Sequence, residues 1–258
     1  MITCELMGGL GNQLFQIATT IALAIKNNDE TCFDIDNHRI GLQGKNASNY
    51  KSNVYRKLNN GIINNISNIY NETGFHYSKI PYKESLKIVG YFQSEKYFID
   101  YRDEILNLFE PNENIITYIN SKYGDILTKK TCSLHVRRGD YLNFSDNHPP
   151  LQLKYYQDAI KNFDSDTLFL VFSDDINWCK TVFIGNNFIF IENEEDYIDL
   201  YIMSLCKNNI IANSSFSWWG SWLNKNKDKK IIAPSKWFGE KLSDLKTEDV
   251  YTTKMIKL

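Results

Sequence analysis

Two arginines side by side, followed by a glycine and a carboxylate, stand in the run His135-Val136-Arg137-Arg138-Gly139-Asp140-Tyr141. A guanidinium stays charged at any working pH and offers a planar fork of donors that matches phosphate oxygens. The pair therefore has the chemistry to hold a substrate diphosphate and neutralise charge as it develops. Taken alone, the run is more simply a surface ion pair involving Asp140. Three other segments carry complementary groups: Gly8-Gly9-Leu10-Gly11-Asn12, Ser173-Asp174-Asp175 and Asn213-Ser214-Ser215. Small hydroxyls and backbone amides ahead of a helix hold phosphate, and carboxylates accept from ribose hydroxyls or the donor edge of a base.

The elements that must position these groups can be read from periodicity. Ile2 to Met7 reads as a buried strand, and Gln13 to Lys26 as a helix with Leu14, Ile17, Ala18, Ile21 and Ile25 on one side. Gly9 and Gly11 fit a dinucleotide fingerprint, but Leu14 occupies its third glycine position, which leaves close backbone approach at a helix start without a dinucleotide claim. From Asn37 to Tyr82 the chain is polar and Asn-rich, with a helix expected only around Tyr55 to Tyr70. Ile88 to Phe92 reads as a strand and Tyr97 to Phe109 as a helix ending before Pro111. After a helical stretch near Ile115 to Tyr123 the pattern becomes regular. Strands are expected at Cys132–Val136, Thr167–Phe172, Phe188–Ile191, Asn209–Ala212 and Lys230–Ala233, with helices at Tyr155–Asn162, Tyr197–Cys206 and Phe216–Leu223. Apolar strands alternating with helices imply an α/β fold with parallel sheets covered on both faces. All four segments follow expected strands, and ligands of such sheets gather at the strands' carboxyl ends.

Composition excludes several classes. The 258 residues carry a formal net charge of -2, which argues against a broad nucleic-acid or anionic-membrane footprint. Five scattered cysteines, never spaced Cys-x-x-Cys, point to reduced thiols, no zinc site and a cytoplasmic protein. No run approaches the ~18 apolar residues that span a membrane, so any association with an acceptor-bearing membrane is expected to be peripheral. No Gly-x-x-x-x-Gly-Lys-Ser/Thr occurs, which removes a P-loop nucleotidase.

Four motifs in order then resemble the inverting α-1,2-fucosyltransferase family. They are Gly8-Gly9-Leu10-Gly11-Asn12-Gln13-Leu14-Phe15-Gln16, the His135 to Tyr141 run, Phe172-Ser173-Asp174-Asp175, and Asn213-Ser214-Ser215-Phe216-Ser217-Trp218-Trp219-Gly220. The resemblance implies a GT-B fold of two Rossmann-like lobes with a cleft between them: 1–125 on the acceptor side and 126–258 on the donor side. It also implies transfer of L-fucose from GDP-β-L-fucose to a glycan, the 2-OH of a terminal galactose by family expectation. No cofactor or metal is implied, and the oligomeric state is left open.

By the same resemblance Arg137 contacts the donor β-phosphate and Arg138 supports the pocket. His135 and one carboxylate of Asp174 or Asp175 face guanine or its ribose. The Asn213-Ser214-Ser215 turn, with Phe216 beside it, holds diphosphate oxygens. Gly9 and Gly11 bring Asn12 to bind fucose or the leaving phosphate. Asp140 is either the general base or the residue that orients Arg138; Asp146 and Glu5 are alternative bases. Acceptor choice is expected in the N-terminal lobe and the loop Leu142 to Leu151. Trp218, Trp219 and Trp222 are expected to pack in the core. Asp164-Ser165-Asp166 spells a metal-binding Asp-x-Asp, but it precedes a strand and falls at the sheet's opposite end. Two other readings stand beside this one: a non-catalytic sugar-nucleotide or glycan binder, and a transferase of a different GDP-deoxyhexose or acceptor.

Overall fold

The computed structural model describes residues 1–36 and 46–258; residues 37–45, the start of the Asn-rich stretch, lie outside them. The chain divides into two compact units, Met1–Asn112 with Leu245–Thr252, and Glu113–Asp244 with Thr253–Leu258.

The first unit contains β1 (Ile2–Cys4), α1 (Leu10–Lys26), β2 (Asn68–Asn71), β3 (Leu86–Val89) and α2 (Arg102–Leu108). Its strands are parallel in the order β1-β3-β2, with Cys4 and Tyr70 both opposite Ile88. All three carboxyl ends therefore share one edge. β1 is shorter than its apolar run because the Gln16 side chain replaces the ladder, accepting from Met7 N at 2.9 Å and donating back to Met7 O at 3.3 Å. α1 is buried on most sides, Gln13, Gln16, Thr19 and Thr20 included, so it is a core helix rather than a surface one.

No helix forms across Tyr55 to Tyr70: turns give way to irregular chain and then to β2. Asparagine side chains there compete for backbone amides, as where Asn53 Oδ1 accepts from Val54 N and Asn60 Oδ1 from Ile35 N. The helix expected over Tyr97 to Phe109 is α-helical only in α2 and is preceded by two short 3₁₀ turns.

The second unit runs α3 (Glu113–Leu127), β4 (Thr131–Val136), α4 (Leu153–Ile160), β5 (Leu168–Ser173), α5 (Ile176–Val182), β6 (Phe188–Phe190), α6 (Asp196–Leu205), β7 (Asn208–Ile210), α7 (Ser215–Leu223), β8 (Ile231–Ala233) and β9 (Met255–Lys257). Every strand pair is parallel, in the order β6-β5-β4-β7-β8-β9. This is the doubly wound order, and its direction reverses between β4 and β7, the point outside which such sheets bind ligands. β4 is buried along its whole length, with Leu134 between Val171 and Ile210. Tyr156, Phe169, Cys179, Phe183 and Ile232 complete the core around it. Trp218, Trp219 and Trp222 are buried on α7, Trp218 and Trp222 with rings stacked at 6.3 Å, so they pack as expected.

Candidate active site

Val136 is the last residue of β4, and Arg137 and Arg138 are the first beyond it. The two arginines are held differently. Arg137 Nη2 lies 2.8 Å from Asp140 Oδ1 and Nη1 lies 3.1 Å from Asp174 Oδ2, charge contacts without aligned hydrogen bonds. Its guanidinium also sits 5.5 Å from the Tyr141 ring centre. Arg138 is fixed by direction: its backbone N donates to Asp174 Oδ1 (2.9 Å), its Nε donates to Asp175 Oδ2 (3.1 Å), and its guanidinium stacks 4.0 Å over Trp178. Asp175 also caps α5, where its Oδ1 accepts from Trp178 N at 3.2 Å. A Cβ at Gly139 would fall 2.7 Å from Asp174 Oδ2, so only glycine lets that carboxylate bridge the arginines.

Asp140 was expected to serve as base or to orient Arg138. The arginine it contacts is Arg137 rather than Arg138, because the 3₁₀ turn Asp140–Leu142 brings it back three residues onto that side chain.

At the neighbouring strand end, β7 leads to the start of α7. Asn213 is 2% exposed; its Nδ2 donates to Pro149 O and Trp237 O, and its carbonyl accepts from Tyr141 Oη at 3.0 Å. The Asn213 amide nitrogen is thus committed to tying loops together. Ser214 Oγ caps α7 by accepting from Phe216 N, and Ser215 opens the helix.

The Phe216 ring lies 5.6 Å from that of His135. His135 is 5% exposed, and burial pushes its pKa down to about 4, opposed by Asp174 and helped by Arg137. The imidazole is neutral at pH 7. His135 Nδ1, both Asp140 oxygens and Asn213 Oδ1 are shielded from solvent and have no hydrogen-bond partner among the described residues. Such groups are rare in folded proteins, and a cluster of them beside paired cations is what a bound polar ligand would satisfy.

In the first unit the glycine turn after β1 presents Asn12. The essential glycine there is Gly8, with φ +72° and a Cβ position only 2.5 Å from Asn12 Nδ2. Gly9 takes ordinary extended angles as the helix cap, and Gly11 lies within the first turn of α1. Gln13 braces the turn by donating to Gly8 O (2.9 Å) and accepting from Tyr55 Oη (2.8 Å). Asn12 Oδ1 accepts from Gln93 Nε2 at 2.8 Å.

A model of glycosyl transferase family 11 matches residues 1–257. The chain belongs to this family.

An Escherichia coli protein named O-antigen biosynthesis glycosyltransferase WbnK is 33% identical over 92% of this chain and 95% of its own. The α-1,2-colitosyltransferase of Escherichia coli is 31% identical over 92% of both. In fold, the chain is similar to the NodZ α-1,6-fucosyltransferase crystal structure soaked with GDP-fucose, at a TM-score of 0.50 and 10% identity, over 86% of this chain and 92% of that one. The α/β fold with parallel sheets, of GT-B type, is the one the motifs implied.

Other sequence candidates of this family 11 glycosyltransferase lie elsewhere. Asp164 and Asp166 precede β5, at the opposite edge from Arg137, and share Lys130 at 3.1 and 3.0 Å. Asp146 is 67% exposed and pairs with Lys241, while Glu5 pairs with Lys87. The loop after the arginines is closed by local contacts: Tyr141 stacks on His148 (5.2 Å), and His148 meets Phe238 edge-on (5.4 Å). A Cβ at Gly239 would lie 2.4 Å from Asp146 O, so glycine admits this closure. Trp178, His148 and Gln93 escaped the sequence reading. A helix cap bonds a backbone N–H whatever its side chain, so the Asp175 cap gave no signal for Trp178.

Proposed function

We propose that the chain transfers L-fucose from GDP-β-L-fucose to a glycan hydroxyl, the 2-OH of a terminal galactose, with inversion to an α-1,2 linkage. What carries this reading is Arg137: a cation at the switch point of the doubly wound sheet, held by charge contacts that leave N–H donors of its fork for another anion.

In a single displacement the acceptor oxygen attacks the anomeric carbon as GDP leaves. The diphosphate gains negative charge in that step. Arg137 and the amides opening α7 bind it more tightly in the transition state than before it, and this lowers the barrier. These groups supply the charge compensation that a divalent metal gives in other transferases, so the reaction needs no cofactor; full activity in excess EDTA is the expected result. Arg138, stacked and bonded, holds Asp174 in place. Asn213 Oδ1 and His135 Nδ1, which have no hydrogen-bond partner among the described residues, suit the N–H edge of guanine and the ribose hydroxyls. Acceptor choice is assigned to residues 1–125 and, separately, to the loop Leu142 to Leu151. Asp140 either takes the acceptor's proton or orients Arg137. A pH–rate profile of Asp140→Asn separates these roles, since unchanged rates remove it as base.

A second reading, a donor bearing a different deoxyhexose, is favoured by the 31% identical relative named for colitose. Purified protein, GDP-fucose and other GDP-deoxyhexoses screened against a glycan array, with linkage analysis of products, test both. Release of GDP only with an acceptor present supports transfer, and binding without release would leave a non-catalytic sugar-nucleotide binder.

A further inference from the structure

The carboxyl edge of the first sheet carries a second arrangement, built from all three of its strands. Glu72 follows β2 and reaches across the end of β3, where its carboxylate accepts from two successive backbone amides, Tyr91 N at 2.7 Å and Phe92 N at 2.9 Å. The corner it holds is unusual. Gly90 has φ +156°, and a Cβ there would sit 2.3 Å from Glu72 Cβ, so Glu72 fills the space a side chain would need. Phe92 takes φ +51° although it is large and not glycine, a conformation that persists only where the surroundings enforce it. Burial edge-on against Tyr97 at 5.4 Å and the Glu72 contact do so. The next residue, Gln93, is 8% exposed and donates from Nε2 to Asn12 Oδ1 at 2.8 Å, while Asn12 Nδ2 lies close over Gly8.

We propose that Glu72 and Gln93 are positioning residues: Glu72 locks the 90–93 corner, and through it Gln93 fixes the rotation of the Asn12 side-chain amide. The proposal rests on the reading of Asn12 as part of the transfer site. A carboxylate bonded to two amides is a stiff brace, because charge-assisted bonds are short and strong. A side-chain amide turns about its terminal bond, and a contact misplaced by about 1 Å can cost on the order of a hundredfold in rate.

The test uses the full chain with Asn12→Ala, Gln93→Ala, the double variant, and Glu72→Gln, which keeps the size of the side chain. With GDP-fucose and an accepted glycan, Gln93→Ala and Glu72→Gln should lower kcat roughly tenfold to a hundredfold. GDP affinity should stay within about twofold, and the double variant should be no slower than Asn12→Ala alone, because residues acting as one unit do not add. The Asn12 side-chain amide signal in ¹⁵N–¹H spectra, which needs no turnover, should shift in both Gln93→Ala and Glu72→Gln. Unchanged kcat in both folded variants, losses at Asn12 and Gln93 that multiply, or an unmoved Asn12 signal would overturn the proposal. If Glu72→Gln fails to fold, Gln93→Ala decides, because the Gln93 side chain makes no backbone hydrogen bond among the described residues. Wild-type protein that turns over no GDP-sugar sinks the functional reading alone, and the spectra still decide the positioning.

Discussion

The carboxyl edges of the two sheets solve the same problem with different chemistry. In the second unit the edge is made of ions: Arg137 and Arg138 face Asp140, Asp174 and Asp175, groups from two adjacent strand ends. In the first it is made of amides and one carboxylate, with Asn12, Gln93 and Glu72 drawn from three strands and packed over Gly8 and Gly90. Charges act over distance and must be balanced, so they tolerate small displacements. Amide contacts are short and directional, so glycines must clear the space for them. The charged edge should therefore lose chemistry when cut, and the amide edge should lose geometry.

The sharpest break in this contrast is Arg137→Ala. Loss of a preorganised donor to developing charge typically costs about a hundredfold to a thousandfold in kcat. With only charge contacts to lose, the variant should melt within a few degrees of wild type. A large fall in melting temperature without loss of turnover would reverse the roles given to the two arginines.

Next is acid sensitivity. The folded His135 pKa of about 4 lies below the ordinary histidine value of 6.5 because burial disfavours the charged ring. Between these values the unfolded chain binds the proton and the folded chain does not. The stabilisation is full above pH 6.5 and is lost as pH falls toward 4, on the order of 3 kcal/mol. Denaturant melts from pH 7 to 4 should show that slope, and His135→Gln should flatten it. Burial depresses His148 in the same direction, so part of the slope survives.

Smaller effects separate the two edges further. Gly8→Ala must adopt φ +72° against Asn12, costing about 1–2 kcal/mol, and GDP binding should be left intact. Arg138→Ala loses the Trp178 stack and the Asp175 bond, roughly 1–2 kcal/mol together, and here GDP binding should weaken. Similar effects of both changes on GDP binding would erase the distinction.

The contrast also explains what the sequence revealed. The second unit was legible because its strands are continuous apolar runs and its ions are adjacent in the chain, as in Arg137-Arg138. α5 was not, since Asp175 capping and a single face of Cys179 organise it rather than an apolar stripe. β9 reads Met255-Ile256-Lys257 and is largely exposed, so no buried apolar run marks it. In the first unit, Asn-rich sequence obscured β2, and Glu72 and Gln93 gain meaning only once β2 and β3 place them beside Asn12. Asn213 lies in the turn after β7, but its amide nitrogen ties loops together, a role that depends on Pro149 and Trp237 far along the chain.

If Arg137 recognises the second phosphate of a guanosine diphosphate, as proposed, the preference of the protein for GDP over GMP depends on it. Calorimetric affinities for GDP and GMP, in wild type and in Arg137→Ala, test it most directly. Wild type should favour GDP by about tenfold or more, as one charge-assisted contact allows, and the variant should lose most of that preference. A variant that keeps the full preference for GDP would contradict it.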